Sequence, residues 1–356
     1  MTLASGDSAG RSGPIPVLSA RQARVLRALV GGYVGEATPV GSEMIAVLLP
    51  GSLSSASVRN TLAELGELGL VDKPHRSAGR VPTELGFRVY LDQLLDPPAL
   101  GDWERRDLAD CVGDIPAAAL AQVASRLLSE RTRQLGFFEV PRLERIVLRH
   151  VSFVRVSAER VLAVLVSQTG TAHQRLFRQE GRGDQAELDR MASALNERLA
   201  GRTLREVREA LLREAAALRT QAEWLLERAL SAGAAAGAAA FDTGAGLVIA
   251  TRLALLDQPE FHDPERVREL FEAVETKERL ADVLDRVLRR GGVQVALGSE
   301  MGEPALRQCA LVAAPYGRRG TLLGALGVIG PHRMDYARVI PLVDYVSRLV
   351  TEKLSA

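Results

Sequence analysis

Two short stretches carry most of the chemistry this chain has to offer. LSSASVRN brings Ser55, Ser57, Arg59 and Asn60 together, and KPHRSAGR brings Lys73, His75, Arg76, Ser77 and Arg80. Arginine can donate a bidentate pair of hydrogen bonds to guanine, and asparagine can pair in the same way with adenine. Basic side chains neutralise phosphates and release the counterions condensed on them. The first stretch therefore suits base edges and the second a nucleic-acid backbone. An isolated Arg-Asn pair fits a solvated helix face equally well, and a basic loop by itself fits solvent. The order of elements around them has to decide.

That order is a short helix, a turn, a second helix and a basic hairpin. Gly41-Ser42 supplies a turn and an N-cap for a helix running through Leu49, and Pro50-Gly51 stops it. The next helix starts at Ser54 or Ser55, either of which can accept a hydrogen bond from an orphan N–H. At 100° per residue, Val58, Leu62, Leu65 and Gly69 form one buried stripe. Asn60 then points away from the core, flanked by Ser57 and Arg59. A strand over Leu68–Val71 leads into a hairpin with Ser77-Ala78-Gly79 at its tip, and Val81 begins the return strand. In a helix-turn-helix, the second helix presents its N-terminal side chains to the major groove while the first braces across the backbone. The predicted base-reading set is Ser55, Ser57, Arg59 and Asn60. The predicted phosphate and wing set is Ser42, Lys73, His75, Arg76, Ser77 and Arg80.

Before this segment, a helix starts after Ser19 and aligns Val25, Leu26, Leu29, Val30 and Tyr33, with Gly31-Gly32 weakening its end. After it, Thr83-Glu84 opens a helix with Phe87, Tyr90, Leu91, Leu94 and Leu95 on one face, ended by Asp96-Pro97-Pro98. A domain boundary is expected there. A helix follows over Leu120–Leu135. An antiparallel meander of three strands is predicted over Arg145–Val156, Val161–Ser167 and Ala172–Phe177. Asp184 caps a helix from Gln185 to Leu199. A capping box at Thr203–Glu206 opens a long helix to about Leu230. Its stripe of Leu204, Val207, Leu211 and Leu218 reads as core or as a dimer seam, and its place in an insertion favours the seam. Amphipathic helices are expected within Pro264–Leu288. Strand character returns at Val293–Leu297, Cys309–Pro315 and Gly320–Ile329, before a C-terminal helix from Tyr336 to Leu354. Strands on both sides of a helical stretch predict one α+β domain interrupted by an insertion.

With 356 residues, two or three domains are the default. Composition is that of a soluble globular protein, with 47% hydrophobic and 25% charged residues. The net charge of +1 means that any DNA binding must come from local placement of charge. Cys111 and Cys309 lie far apart without a CxxC partner, so they read as reduced thiols of a cytoplasmic protein. Residues 1–17 read as a flexible Gly/Ser/Pro-rich tail, and no apolar run is long enough to span a membrane.

A second constellation, Glu300 with His332, Arg333 and Asp335, offers acid–base groups and an anion-binding cation. No nucleophile motif, phosphate-cradling loop or metal-ligand spacing accompanies it, so no enzyme, cofactor or metal is expected. The structural alternative is a tight Gly-Pro turn into the C-terminal helix, with Asp335 near its N-terminus.

Several segments together resemble the heat-inducible transcription repressor family of bacteria, HrcA. They are TPVGS at Thr38–Ser42, LSSASVRN at Leu53–Asn60, GLV at Gly69–Val71, PHRSAGRVPTELGFRVYLD at Pro74–Asp92, PEF at Pro259–Phe261, LGSEM at Leu297–Met301 and GPHRMDY at Gly330–Tyr336. Arg76 and His332 stand where the family pattern usually has Thr, and Met301 where it has Asn. The resemblance implies an α+β multidomain chain: a winged helix-turn-helix over 18–96, a GAF-like α+β domain over 97–200 and 292–356, and a largely helical dimerisation domain inserted at 201–291. It also implies a homodimer that binds an inverted-repeat operator of double-stranded DNA and represses chaperone operons. A GroE-type chaperonin is the implied partner, keeping the repressor active. The alternative expectation is a winged-helix regulator controlled by a small-molecule ligand in the GAF-like domain.

Overall fold

The computed structural model describes residues 16–49, 51, 53–75, 78–113, 115–116, 119–139, 148–157, 159–167, 172–178, 184–199, 202, 247–250, 258–261, 263, 265, 268–270, 283–284, 291–318 and 321–355. Helix α1 (Ala20–Glu36) begins at a capping box. The Ser19 hydroxyl accepts from the Gln22 N–H, and the Gln22 side chain accepts from the Ser19 N–H in return. Its Val25, Leu26, Leu29 and Val30 are fully buried with Ile45, Val58 and Leu65, the core of a small helical bundle. The helix passes through Gly31-Gly32 and ends at Ala37, which takes a left-handed conformation. Gly32 faces the Val40 and Leu48 side chains, where an added Cβ would stand 3.4–3.5 Å from them.

Helices α2 (Ser42–Leu48) and α3 (Ser55–Glu67) follow, then strands β1 (Val71–Asp72) and β2 (Val81–Pro82). The cap of α2 is Gly41, with no side-chain bond, and Ser42 is its first residue. The cap of α3 is Ser54, whose hydroxyl accepts from the Ser57 N–H. The buried stripe of α3 is Val58, Thr61, Leu62 and Leu65. Gly69, expected on that stripe, is exposed beyond the helix at φ +71°, the left-handed turn that redirects the chain into β1. Helix α4 (Glu84–Val89) starts directly after β2 and passes into a π-helical turn over Tyr90–Leu94.

Beyond it lie α5 (Asp102–Gly113), α6 (Leu120–Thr132) and β3 (Leu135–Glu139). Neither α5 nor β3 is among the elements expected from the sequence; Leu135, read there as the end of a helix, is the first residue of a completely buried strand. The meander is present as β4 (Leu148–Ser157), β5 (Arg160–Ser167) and β6 (Ala172–Arg178), antiparallel throughout. Helix α7 (Gln185–Leu199) starts after Asp184, whose carboxylate accepts from the Glu187 N–H. Asn196 of α7 bonds both backbone groups of Val151 on β4. Strands β7 (Leu247–Ala250), β8 (Gln294–Leu297), β9 (Cys309–Arg318) and β10 (Thr321–Pro331) precede α8 (Tyr336–Ser355). The capping box at 203–206, the leucine stripe after it and most of the amphipathic stretch at 264–288 lie outside the described residues.

The strands form two larger sheets besides the β1-β2 hairpin: a five-stranded one in the order β7-β3-β10-β9-β8, and the separate β4-β5-β6 sheet. Chain contacts divide the molecule into two compact units. The first lies within Met1–Phe138, Val248–Tyr316 and Ala325–Lys353, and the second within Glu139–Leu247, Gly317–Gly324 and Leu354–Ala356. The segment that interrupts the first unit thus begins at Glu139. This differs from the 97–200 plus 292–356 domain with an insertion at 201–291 read from the sequence. The physical reason is pairing: β3 bonds to β10, far downstream, whereas among the described residues β4–β6 bond only to one another.

Candidate nucleic-acid interface

The start of α3 is built to be presented. Ser54 caps it, and the Ser55 hydroxyl is hydrogen-bonded to the Ser42 hydroxyl at 3.1 Å, pinning the starts of α2 and α3 together. Ser42 is thus a brace between helices, not a cap as expected. Ser57 is half-buried; Asn60 is exposed on the side opposite Val58, Leu62 and Leu65, and Arg59 is exposed on the flank beside it. Among the described residues, Arg59 and Asn60 are engaged in no ion pair or side-chain hydrogen bond, so their donors face outward. The free N–H groups of the first turn add partial positive charge at the same end.

The hairpin is held by more than its two strands. Val71 pairs with Pro82 and Asp72 with Val81, and Arg80 forms a third rung with Val40 through two backbone hydrogen bonds of 2.9 Å each. Gly79 lies against the chain before α2, where a Cβ would stand 2.5 Å from the Val40 carbonyl group. That contact ties the wing to the entry of the helix-turn-helix and requires glycine. Lys73 and His75 are exposed, and Arg80 is half-exposed. Arg76 and Ser77 lie outside the described residues. The structure therefore brings Ser42, Ser55, Ser57, Arg59 and Asn60 together at one helix start, with Lys73, His75 and Arg80 on the adjoining hairpin.

Two members of the second constellation, Glu300 and Arg333, are paired internally. Arg88 takes up Glu300 in a forked ion pair, and Arg333 does the same with Glu260 while donating to Gln258 at 2.7 Å. Burial holds His332 below the usual histidine range against the opposing pull of Glu84, Glu300 and Glu260. Asp335 precedes α8, its carbonyl accepting from the Arg338 and Val339 N–H groups. Burial pushes the Cys309 thiol up to about 12, which removes it as a nucleophile. No His/Cys/Asp/Glu cluster among the described residues could hold a metal ion. No helix among them is long and apolar enough to cross a membrane. Glu84 and Arg88 fall within the PHRSAGRVPTELGFRVYLD segment, but their residue types assign them no role there; their further local signal is the i,i+4 spacing of Glu84, Arg88 and Asp92.

A family profile described as the HrcA protein C terminal domain matches residues 118–340. The chain belongs to the HrcA family. A heat-inducible transcription repressor HrcA of Xanthomonas campestris pv. campestris is 38% identical over 341 residues, 96% of this chain and 97% of that protein. The protein of the same name from Geobacter sulfurreducens is 37% identical over 341 residues, 95% of this chain and 98% of that one. Among solved structures, one described only as a hypothetical protein superposes with a TM-score of 0.59 at 22% identity. It covers 95% of this chain and 99% of that chain, a likeness of fold. Membership in the HrcA family makes the chain a transcription repressor of the heat-inducible class.

Proposed function

We propose that the chain acts as a homodimer on an inverted-repeat operator and represses chaperone operons from the cytoplasm. Ser55, Ser57, Arg59 and Asn60 read bases, and Ser42, Lys73, His75, Arg76, Ser77 and Arg80 hold phosphates. The observation that carries this reading is the outward Arg59-Asn60 pair beside a wing locked to Val40. Residues 18–96 serve as the winged helix, and the five-stranded sheet with α5, α6 and α8 as the GAF-like part. The unit within Glu139–Leu247 serves as the dimerising insertion. Its support is the β4-β5-β6 sheet: α7 lies against β4, while Val154, Val156 and Leu176 stay 47%, 57% and 44% exposed. An apolar sheet face of that kind suits burial against a second copy.

The GroE-type chaperonin is the proposed activity control, keeping the repressor competent until unfolded proteins occupy it. A mobility-shift assay on the inverted repeat, with and without chaperonin, tests both parts. Specific retardation that rises with added chaperonin is the expected result. Equal retardation of a scrambled duplex would overturn operator binding, and indifference to chaperonin would overturn the control.

A further inference from the structure

Reading DNA does not account for several of the motif residues, namely Glu84 and Arg88 in TELGFR, the LGSEM segment, and GPHRMDY. The structure brings Ser299, Glu300, His332 and Tyr336 of these segments to α4, around Glu84, Phe87 and Arg88. On one side this helix is seated on the chain that leaves α3. The Thr83 N–H donates to the Leu70 carbonyl at 3.0 Å, and the Thr83 hydroxyl donates to the Gly69 carbonyl at 2.7 Å while accepting from the Gly86 N–H at 3.0 Å. Gly86 lies so close to Leu70 that a Cβ would stand 2.0 Å from its carbonyl oxygen. There is no slack between α4 and the end of the reading helix.

On its other side, α4 is fixed to the end of β8. Glu84 accepts from the Ser299 N–H at 3.2 and 3.3 Å and from the Ser299 hydroxyl. Arg88, with a side chain only 13% exposed, forks onto Glu300 and donates to the Val295 carbonyl at 2.9 Å and to Asp92 at 3.3 Å. Glu300 also accepts from the Leu297 N–H at 3.0 Å, so the carboxylate is held by its own loop before the guanidinium reaches it. Between the two polar ties sits Phe87, 2% exposed, with the Tyr33, His332 and Tyr336 rings 6.3–6.4 Å away. A planar fork fixed at both ends adds direction more than stability, because burying the charges offsets much of their attraction.

We propose that α4 is a strut that sets the angle at which α3 is presented, with Arg88 and Glu84 as its positioning residues. In the dimer the strut fixes the spacing between two reading helices. This part rests on the operator reading above. A strut of this kind acts on the match between the protein and the operator's half-site separation, and leaves each half-site contact as it was.

The test uses the full chain. Affinities are measured for the inverted repeat, for a duplex carrying one half-site, and for repeats with the spacer lengthened or shortened by single base pairs. Arg88→Ala and the milder Ser299→Ala are expected to keep half-site affinity within twofold, to lose at least tenfold on the natural repeat, and to flatten the spacer dependence. Arg88→Lys, which keeps the charge but not the fork, is expected to recover part of the loss. Equal losses on half-site and repeat, or no loss on either, would overturn the strut.

A second readout needs no DNA. Spin labels are placed on the exposed Cys111 of α5 and on Glu67→Cys at the end of α3, and labelled chains are diluted into unlabelled protein. The distance distribution is expected to be narrow in the parent and broad in Arg88→Ala. Equal widths would overturn the strut, whereas a parent that ignores the repeat but broadens on Arg88→Ala would overturn the operator reading and leave the strut standing.

Discussion

Arg59→Ala is the sharpest perturbation of the reading helix, because it separates recognition from folding. Arg59 is exposed, lies one position after the fully buried Val58, and is engaged by no other described side chain. Its removal opens no cavity and strands no buried partner, so stability is expected to change by less than about 0.5 kcal/mol. In the complex, one bidentate base contact is worth about 1–3 kcal/mol of discrimination. The proposed dimer carries the substitution twice, so the expected loss on the inverted repeat is about 2–6 kcal/mol if the two half-sites act independently. That corresponds to roughly 30-fold at the low end and over 10,000-fold at the high end, at 1.4 kcal/mol per decade. Competition titrations on cognate and scrambled duplexes at one fixed salt concentration measure it. A loss of equal size on both duplexes, or an unfolding midpoint displaced by more than a few degrees, would refute the assignment of Arg59 to bases.

Lys73→Ala is expected to weaken all duplexes alike and to reduce the slope of log affinity against log salt by about 0.9 per contact, or about 1.8 per dimer. An unchanged slope would remove Lys73 from the phosphate set. Gly79→Ala forces a Cβ to within 2.5 Å of Val40 and 2.8 Å of Pro39 backbone atoms. The Val40–Arg80 rung must part, which costs about 2 kcal/mol for its two hydrogen bonds and shows as a lower denaturant midpoint. A parent-like midpoint would contradict the contact. His332 takes up its proton at lower pH when folded than its unfolded value of 6.5, so stability present at neutral pH falls as pH drops below that value. His332→Thr is expected to flatten this decline in urea titrations between pH 7.5 and 5.5, as a rough working range; parallel declines would refute it.

How far the sequence spoke for itself depended on distance along the chain. Helices α1, α3 and α7 were legible because their apolar residues recur at helical spacing and a Ser or Asp caps each start. The meander was legible from its β-branched runs and turns. Strand β3 was not, because LGFFE is a short apolar run without alternation and follows a helix with no stop signal, so periodicity cannot distinguish strand from helix. Helix α5 buries only Leu108 and Val112, too few to show as a stripe. The residues proposed to read bases stood out through type and local order alone. The Arg88–Glu300 pair, 212 positions apart, had no expression as a pair: each residue lies in a motif segment, and Glu300 drew notice only as an acid–base group.

The interior strand β3 also bears on how the protein is made. It emerges early in synthesis, yet its partner on β10 lies roughly 190 residues downstream, with Phe138 paired to Leu326, a delay of about 10–40 s at ribosomal speeds of about 5–20 residues per second. Until β7 emerges at Leu247, about 110 residues on, LGFFE, buried along its whole length in the finished fold, has neither sheet neighbour, and β10 follows later still. An apolar strand with two open edges is a template for association with other unfinished chains. The yield of finished repressor therefore depends on how well nascent chains are shielded, and it falls when that shielding is scarce.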